Sequence, residues 1–375
     1  MRGHAAEPEG TGMAENGAED FQALHEIVQA AHAALDRDLW DYVAGAAGTE
    51  TTQLRNRRAL DRIALRPRVL RDVSHVDASA SFLGREVRLP VALAPVGGLE
   101  SIGAGGGVTV ARGAGLAGVP FFLSSVTLSG LERVAAAASG PKVFQLYTRG
   151  DADWIDAQLR RAAEHGYDAL CLTVDSAHYS RRERDIANRF AKPWRSGGAG
   201  MEFQAALSWD DVRRIRDRHL LPLMLKGIAV PEDAELACRA GIDVVYVSNH
   251  GGRQLDHGLG AIELLPDIVQ AVAGRARVMV DGGFCRGTDI VKAIALGAAT
   301  VGIGRLMCYG LAAAGEAGIA RVIELLEAEI VECLGLLGLD GWDGLNAAFL
   351  CPAEPVAPPG AFSAFPLLRL KPPVS

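Results

Sequence analysis

Residues 223–251 read LMLKGIAVPEDAELACRAGIDVVYVSNHG, and this stretch decides the fold. An apolar run, Leu223–Gly227, is followed by a helix-like segment at 231–240 and a second apolar run, Val244–Gly251. Near-continuous apolar strands separated by amphipathic helices imply parallel strands buried on both faces. The unit repeats outward in both directions. Upstream lie runs at Pro90–Gly97, Phe121–Ser125, Val143–Tyr147 and Ala169–Asp175; downstream lie Val278–Gly283 and Thr300–Gly304. Helix-like segments at 106–118, 129–139, 152–165, 208–219, 261–273 and 287–297 fill most of the remaining gaps. Eight strands in this alternation predict an α/β fold, a single (β/α)8 TIM barrel. An open doubly wound sheet is the alternative reading of the same alternation.

The flanks read differently. Residues 1–19 are polar and Gly-rich and predict a disordered segment. From Phe21, the residues Leu24, Ile27, Val28, Ala31 and Leu35 follow helical spacing, and Leu39, Trp40, Tyr42 and Val43 mark a second helical patch. This N-terminal helical extension belongs with the barrel in one domain, 20–351. Residues 60–90 look irregular, with a small hairpin around Gly84. Beyond the last strand come a long helix at about 314–334 and a Pro-rich tail, 352–375, which either wraps over the barrel or stays disordered.

Composition narrows the function. A net charge of −7 without a basic block argues against nucleic acid or an anionic membrane as partner. The run Arg55, Asn56, Arg57, Arg58 reads as a solvated helix face. Six scattered cysteines without CxxC spacing read as reduced thiols and point to a cytoplasmic protein. No stretch is long and apolar enough to predict a membrane span, and the first twenty residues do not read as a signal peptide. The nine histidines show no metal-ligand spacing, so no metal site is expected. GxSxG is absent, which argues against a hydrolase elbow.

In such barrels function gathers at the C-terminal strand ends, and the unusual polar residues of this chain sit there. The ends carry, in order, Pro95-Val96-Gly97; Ser124; Gln145 and Tyr147; Thr173 and Asp175; Lys226; Ser248, His250 and Arg253; Asp281-Gly282-Gly283; and Gly304-Arg305. Any one of them could be a satisfied core or loop residue, but packing alone does not explain all eight ends together. The last two ends read as a phosphate cradle, since glycines admit backbone N–H groups to an anion and Arg305 adds charge. A tight turn is the alternative for a bare GxG. Lys226 ends a buried run and needs an anionic partner; it could steady negative charge on a reduced cofactor ring, or form a structural ion pair. His250, flanked by glycines three residues before Arg253, is a candidate general base, with Asp175 placed to hold the imidazolium. Arg182 and Arg253 suit bidentate recognition of a carboxylate, whereas Arg181 and Arg184 read as a solvated loop.

The strings SNHGGRQLD (248–256), FQLY (144–147), LTVD (172–175) and LKG (225–227) resemble the FMN-dependent 2-hydroxy-acid oxidases and dehydrogenases. Glycolate oxidase, lactate oxidase and mandelate dehydrogenase are members of that family. The resemblance runs from about Trp40 to Leu337 and implies FMN as cofactor, with oxidation of a small-molecule 2-hydroxy acid to the 2-oxo acid. It implies that Tyr42, Arg253 and Arg182 bind the substrate carboxylate, that Tyr147 bonds the substrate hydroxyl, and that His250, oriented by Asp175, is the base while two electrons reach flavin N5. Lys226 would steady the reduced flavin. Pro95, Val96, Gly97, Ser124, Gln145, Thr173 and Ser248 would line the ring and ribityl chain. Asp281, Gly282, Gly283, Gly304 and Arg305 would hold ribityl and phosphate. Oxygen, a quinone or a carrier protein would take the electrons, and a homotetramer is expected by analogy.

The chain also departs from the family's pattern. Two arginines usually follow the Asp-Gly-Gly of the seventh strand; here the first is Cys285, and Arg286 remains to reach the phosphate by a loop shift. Gly103-Ala104-Gly105-Gly106-Gly107 replaces a His-Pro-Glu-Gly segment, and Val96-Gly97 stands where Thr-Ala is usual. The segment between Phe190 and Ser208 is shorter than the usual lid, which implies an open mouth, a bulky, aryl or carrier-tethered substrate, and Tyr179 in the pocket wall, with a surface tyrosine as the alternative reading. Two competing readings share these residues. One is a flavin barrel acting on another carboxylate substrate, by amine oxidation or isomerisation; the other is a degenerate flavin-binding protein.

Overall fold

A computed structural model describes residues 17–192 and 200–370. Most of the segment expected to be disordered, 1–16, lies outside the described residues, as do 193–199 of the shortened lid and 371–375 of the tail. The described start is an ordered 3-10 turn at Ala18–Asp20.

Eight parallel strands close into one barrel: β1 Val91–Leu93, β2 Phe121–Ser124, β3 Lys142–Leu146, β4 Ala169–Thr173, β5 Leu223–Ile228, β6 Val244–Val247, β7 Arg277–Asp281 and β8 Thr300–Ile303. Closure is made by β8 against β1, with Val301 opposite Val91, which settles the barrel over the open sheet. The helices that follow are α1 Gly107–Ala117, α2 Leu131–Ala137, α3 Ala152–Glu164, α4 Trp209–Arg218, α5 Pro231–Arg239, α6 Ala261–Val272, α7 Gly287–Ala295 and α8 Arg305–Leu337.

Alternation along each strand divides the apolar residues into two cores. Leu223, Leu225, Val245 and Val247 pack outward against the helices. Ala92, Phe122, Val143, Cys171, Met224, Tyr246 and Met279 fill the barrel interior. Burial on both faces is why the strands read as continuous apolar runs. The expected hairpin, Ala80–Phe82 paired with Arg85–Val87, sends Phe82 and Val87 into that interior core and plugs one end. The interior is therefore solid, and a ligand site is left to the opposite mouth.

One register irregularity bears on the site. The β5–β6 ladder slips between Lys226 and Ile228. Gly227 sits there with φ of 112°, and a Cβ on it would fall 2.6 Å from the Asp175 Cβ. The bulge lets the β4 end pack directly on the strand that carries Lys226.

Three expectations change, and one alternative is decided. The solvated Arg55–Arg58 face is corrected: Arg57 is buried and makes a bidentate pair with Asp289, both bonds 2.8 Å, while Arg55 binds the His257 and Gly258 carbonyls. Arg184 is likewise no free loop cation, since it bridges Asp41 and Glu50. The long helix starts earlier than expected, at Arg305, and breaks at Ala314 and Gly315, where Gly315 takes φ of 60°. The tail wraps over the barrel: Leu350–Pro352 pairs with Ile63–Leu65, Phe362 stacks on Trp40 at 5.4 Å, and Phe365 is buried.

The Arg57–Asp289 pair locks an N-terminal helix, Thr51–Asp61, onto the start of α7. Removing Asp289 breaks the bidentate pair and leaves the buried Arg57 guanidinium only its partly exposed neighbour Asp61. Asp289→Ala is expected to cost about 3–5 kcal/mol, read as a fall in the chemical denaturation midpoint.

Candidate active site

One cavity of about 710 Å3 opens at the unplugged mouth, within the range usual for ligand pockets. Tyr42, Pro95, Val96, Gly97, Tyr147, Arg182, Lys226, His250, Arg253, Asp281, Gly282, Gly283, Gly304 and Arg305 all line it. Each comes from a strand end or the loop beyond it, apart from Tyr42, which the helix Arg37–Ala44 supplies.

The imidazole of His250 is held from both sides. Nδ1 lies 3.1 Å from each Asp175 carboxylate oxygen, and Nε2 lies 3.2 Å from the Tyr147 hydroxyl. An ionised carboxylate only accepts, so Nδ1 carries the proton and donates. Nε2 is left as the basic atom, facing a phenol that donates to it. Burial pushes the imidazole below its ordinary value, and this outweighs the opposing pull of Asp175, so the ring is neutral at pH 7. Burial would raise the Asp175 carboxyl, but His250 and Lys226 outweigh it and hold it low. Burial also raises the Tyr147 phenol, which stays protonated. His250 itself takes φ of 58°, unusual for a residue with a side chain.

A second cluster lies beneath. The Lys226 ammonium donates to Ser248 Oγ at 2.8 Å and stands 3.3 Å from Asp281 Oδ2. Ser248 Oγ donates to Asp281 Oδ1 at 2.6 Å and accepts the His250 backbone N–H at 2.9 Å. Burial would depress the ammonium, yet Asp281 and Asp175 together keep its pKa above the ordinary value. Lys226 is thus a buried permanent cation.

The third cluster is cationic. Arg253 Nη1 donates to the Tyr42 and Gly45 carbonyls, both at 2.7 Å, and its guanidinium lies 4.8 Å from the Tyr42 ring centre. Arg182 lies against Tyr179, 4.9 Å from its ring centre, and its buried Nε has no hydrogen-bond partner. Among the described residues neither arginine forms an ion pair. Burial, then the Arg182 charge, lowers the Arg253 pKa to about 10. Two adjacent cations lacking an anion make a seat for a carboxylate.

The donor set also fits a flavin. Gln145 Oε1 is buried without a partner, while Gln145 Nε2 donates to Thr173 Oγ1 at 2.9 Å. Ser124, Gln145, Thr173 and Ser248 are buried at the strand ends, beneath the cavity rather than in its lining. Gly304 begins α8 with no side-chain cap, and a Cβ there would meet only Val96, at 4.0 Å, so room remains over the helix N-terminus. Such a terminus favours a phosphate.

One cationic expectation alters. Arg286 is not brought to the cavity: its guanidinium pairs with Glu329 and donates to the Ala364 carbonyl, so the wrapped tail draws it away. Arg305 lines the cavity, but its donors go to the Val43, Gly45 and Gly251 carbonyls. Cys285 lines the cavity instead, its thiol raised to about 11 by burial. Tyr179 does line the pocket, as expected from the shortened lid.

Some supports were not anticipated. Gln204 donates to the Thr173 carbonyl and accepts from Thr148, bracing two strand ends. Gln254 donates to the Asp175 carbonyl. Glu100 accepts from Thr127, Leu128 and Ser129 and orders the β2–α2 loop. Gln254 lies inside the quoted SNHGGRQLD string, but Gln204 stands in a segment without strand or helix periodicity.

A base, a buried cation and a double guanidinium around one flavin-sized cavity define a flavin-dependent barrel oxidoreductase acting on a carboxylate. Residues 31–352 match the family model for FMN-dependent dehydrogenase. Glycolate oxidase 1 of Oryza sativa subsp. indica is 40% identical over 307 residues, covering 76% of this chain and 83% of that protein. An L-lactate oxidase of a Nostoc strain is 39% identical over 324 residues, covering 79% and 89%. A solved mandelate oxidase bound to benzoyl-formic acid superposes with a TM-score of 0.83 at 39% identity, covering 90% of this chain and all of that one. The chain belongs to the FMN-dependent dehydrogenase family, and it is an FMN-dependent 2-hydroxy-acid oxidoreductase. The competing readings, another carboxylate chemistry or a degenerate binder, are not favoured. Among the described residues no group of metal-ligating side chains gathers, and no helix is long and apolar enough to cross a membrane.

The electrostatics predict the pH response. With neutral His250 as the base proposed below, kcat/KM is expected to rise with pH through a midpoint below the ordinary histidine value of about 6.5. Asp175 opposes that depression. Asp175→Ala is therefore expected to move the acid limb further down, while the plateau rate falls about 10²–10⁴-fold. A pH profile of kcat/KM for both proteins checks it.

Proposed function

We propose that the protein oxidises a bulky, aryl-bearing 2-hydroxy acid to its 2-oxo acid, with His250 as the base. The observation that carries this reading is the pair of guanidiniums, Arg182 and Arg253, without anionic partners among the described residues, in the same cavity as the His250–Asp175 pair. Their fork geometry suits the substrate carboxylate, with Tyr42 packed against Arg253. Tyr147, whose hydroxyl already meets His250 Nε2, is placed to bond the substrate hydroxyl. When bound, FMN accepts the two electrons that leave the substrate. His250 Nε2 accepts a proton from the substrate, and Asp175 stabilises the imidazolium so formed. Lys226 offsets negative charge at the cofactor end of the cavity.

The cavity wall supports a large substituent. Val126, Leu128, Leu131 and Trp154 contribute apolar surface to the lining, next to the longer polar chains of Arg149, Gln158 and Arg161. The solved mandelate oxidase structures hold aryl acids. The oxidase names of the relatives support oxygen as electron acceptor. Six unpaired cysteines accord with the cytoplasm. The homotetramer expected from the resemblance belongs to the same proposal.

Titrating the yellow holoenzyme without oxygen against a panel of 2-hydroxy acids tests this. Mandelate-like acids are expected to bleach the flavin faster than glycolate or lactate, and air to restore the colour. His250→Ala should stay yellow and bleach about 10²–10⁴-fold more slowly. Bleaching by glycolate and lactate alone would overturn the bulky substrate; unchanged bleaching of the variant would overturn the base.

A further inference from the structure

One buried hydroxyl has no part in the chemistry above. Tyr246 lies on β6 and points into the barrel interior, fully buried; its Oη forms no hydrogen bond of standard geometry, yet burial and then the neighbouring Asp281 carboxylate hold the phenol well above its ordinary value. The ring packs edge-on against Phe122 at 5.8 Å and lies 5.3 Å from the Lys226 ammonium. The hydroxyl end reaches Gly302, where a Cβ would fall 2.3 Å from Oη and 3.2 Å from the Asp281 Cβ. Only glycine fits that point, because Oη and Asp281 meet there. Gly302, Asp281 and Lys226 all line the cavity. A buried hydroxyl gives up water on folding and recovers that loss only through a new partner. Of the groups that act on the phenol, Asp281 comes ahead of Cys171 and Asp175, and the Lys226 ammonium beside the ring cannot accept a hydrogen bond.

We infer that Tyr246 is a positioning residue whose hydroxyl donates to Asp281 and so sets how much of the Lys226 charge that carboxylate consumes. Asp281 already takes a bond from Ser248 and the charge of Lys226. A third donor lets neutral hydroxyls carry more of the carboxylate. Lys226 is then less tied to Asp281 and more available to negative charge in the cavity. The inference rests on the role given to Lys226 above and extends it to a residue on a different strand. Tyr246→Phe is a sharp probe, because it keeps the ring against Lys226 and Phe122 and deletes only the hydroxyl.

The test is the two-electron midpoint potential of the FMN holoenzyme, measured by dye equilibration, alongside the FMN dissociation constant and the melting temperature. Tyr246→Phe is expected to make reduction about tenfold less favourable, a potential about 30 mV more negative, since Asp281 then draws harder on Lys226. FMN affinity should stay within about twofold. An unmoved or raised potential overturns the inference, and so does a rise in melting temperature, which would mark the hydroxyl as an unpaired liability. Lost FMN affinity with an unmoved potential would assign the hydroxyl to the cofactor itself and also overturn it. Lys226→Met in the same titration separates the two claims. An unmoved potential there removes the role of Lys226. A shift in Lys226→Met with none in Tyr246→Phe removes only Tyr246. A shift in Tyr246→Phe alone would route the effect elsewhere and also defeats the proposal.

Discussion

The Ser248 hydroxyl joins the two charged halves of the site. It donates to Asp281, receives the Lys226 ammonium, and receives the His250 backbone N–H. An oxygen serving three partners fixes where the β6 loop turns. That turn puts His250 in a left-handed conformation and delivers its imidazole to Asp175. Base and buried cation therefore cannot move independently. Low-dielectric burial makes such shared networks strong when every member is satisfied and costly when one is lost.

The barrel supplies the rigidity this arrangement needs. Its interior is filled by side chains up to the level of Tyr246 and sealed at the far end by Phe82 and Val87. A filled interior resists deformation, so strand ends keep their spacing. The bulge at Gly227 brings Asp175 against β5, and Gly302 makes room for Tyr246. Around the rim, backbone carbonyls do much of the holding. Gly45 alone accepts from Arg253 and Arg305. The loop after the helix Arg37–Ala44 is thereby clamped between the substrate end and the cofactor end of the cavity.

Much of this was legible before any coordinates. All eight strands and the seven helices between and after β1–β7 fall where apolar periodicity puts them, because parallel strands buried on both faces leave an unmistakable pattern. The residues that converge on the cavity were legible for a related reason: a barrel exposes its strand ends, so polar residues there have few structural excuses. What was hidden depends on distant partners. Arg57 reads as one more surface charge until Asp289, 232 residues away, is folded against it. Arg286 closely follows β7, yet Glu329 and the tail carbonyl of Ala364 hold it away from the cavity. Gln204 lacks any local pattern, and Tyr246 looks like an ordinary strand aromatic. Neither sequence spacing nor composition records such competitions.

The account stands on one convergence: His250, Lys226 and Arg253 address a single bound cofactor and substrate. A crystal structure of the FMN complex with an unreactive 2-hydroxy-acid analogue tests it most directly. The account predicts the carboxylate on the Arg253 and Arg182 guanidiniums, the substituted carbon facing His250 Nε2, and Lys226 against the flavin ring. A carboxylate bound elsewhere, with Arg253 serving only the Tyr42 and Gly45 carbonyls, would contradict it.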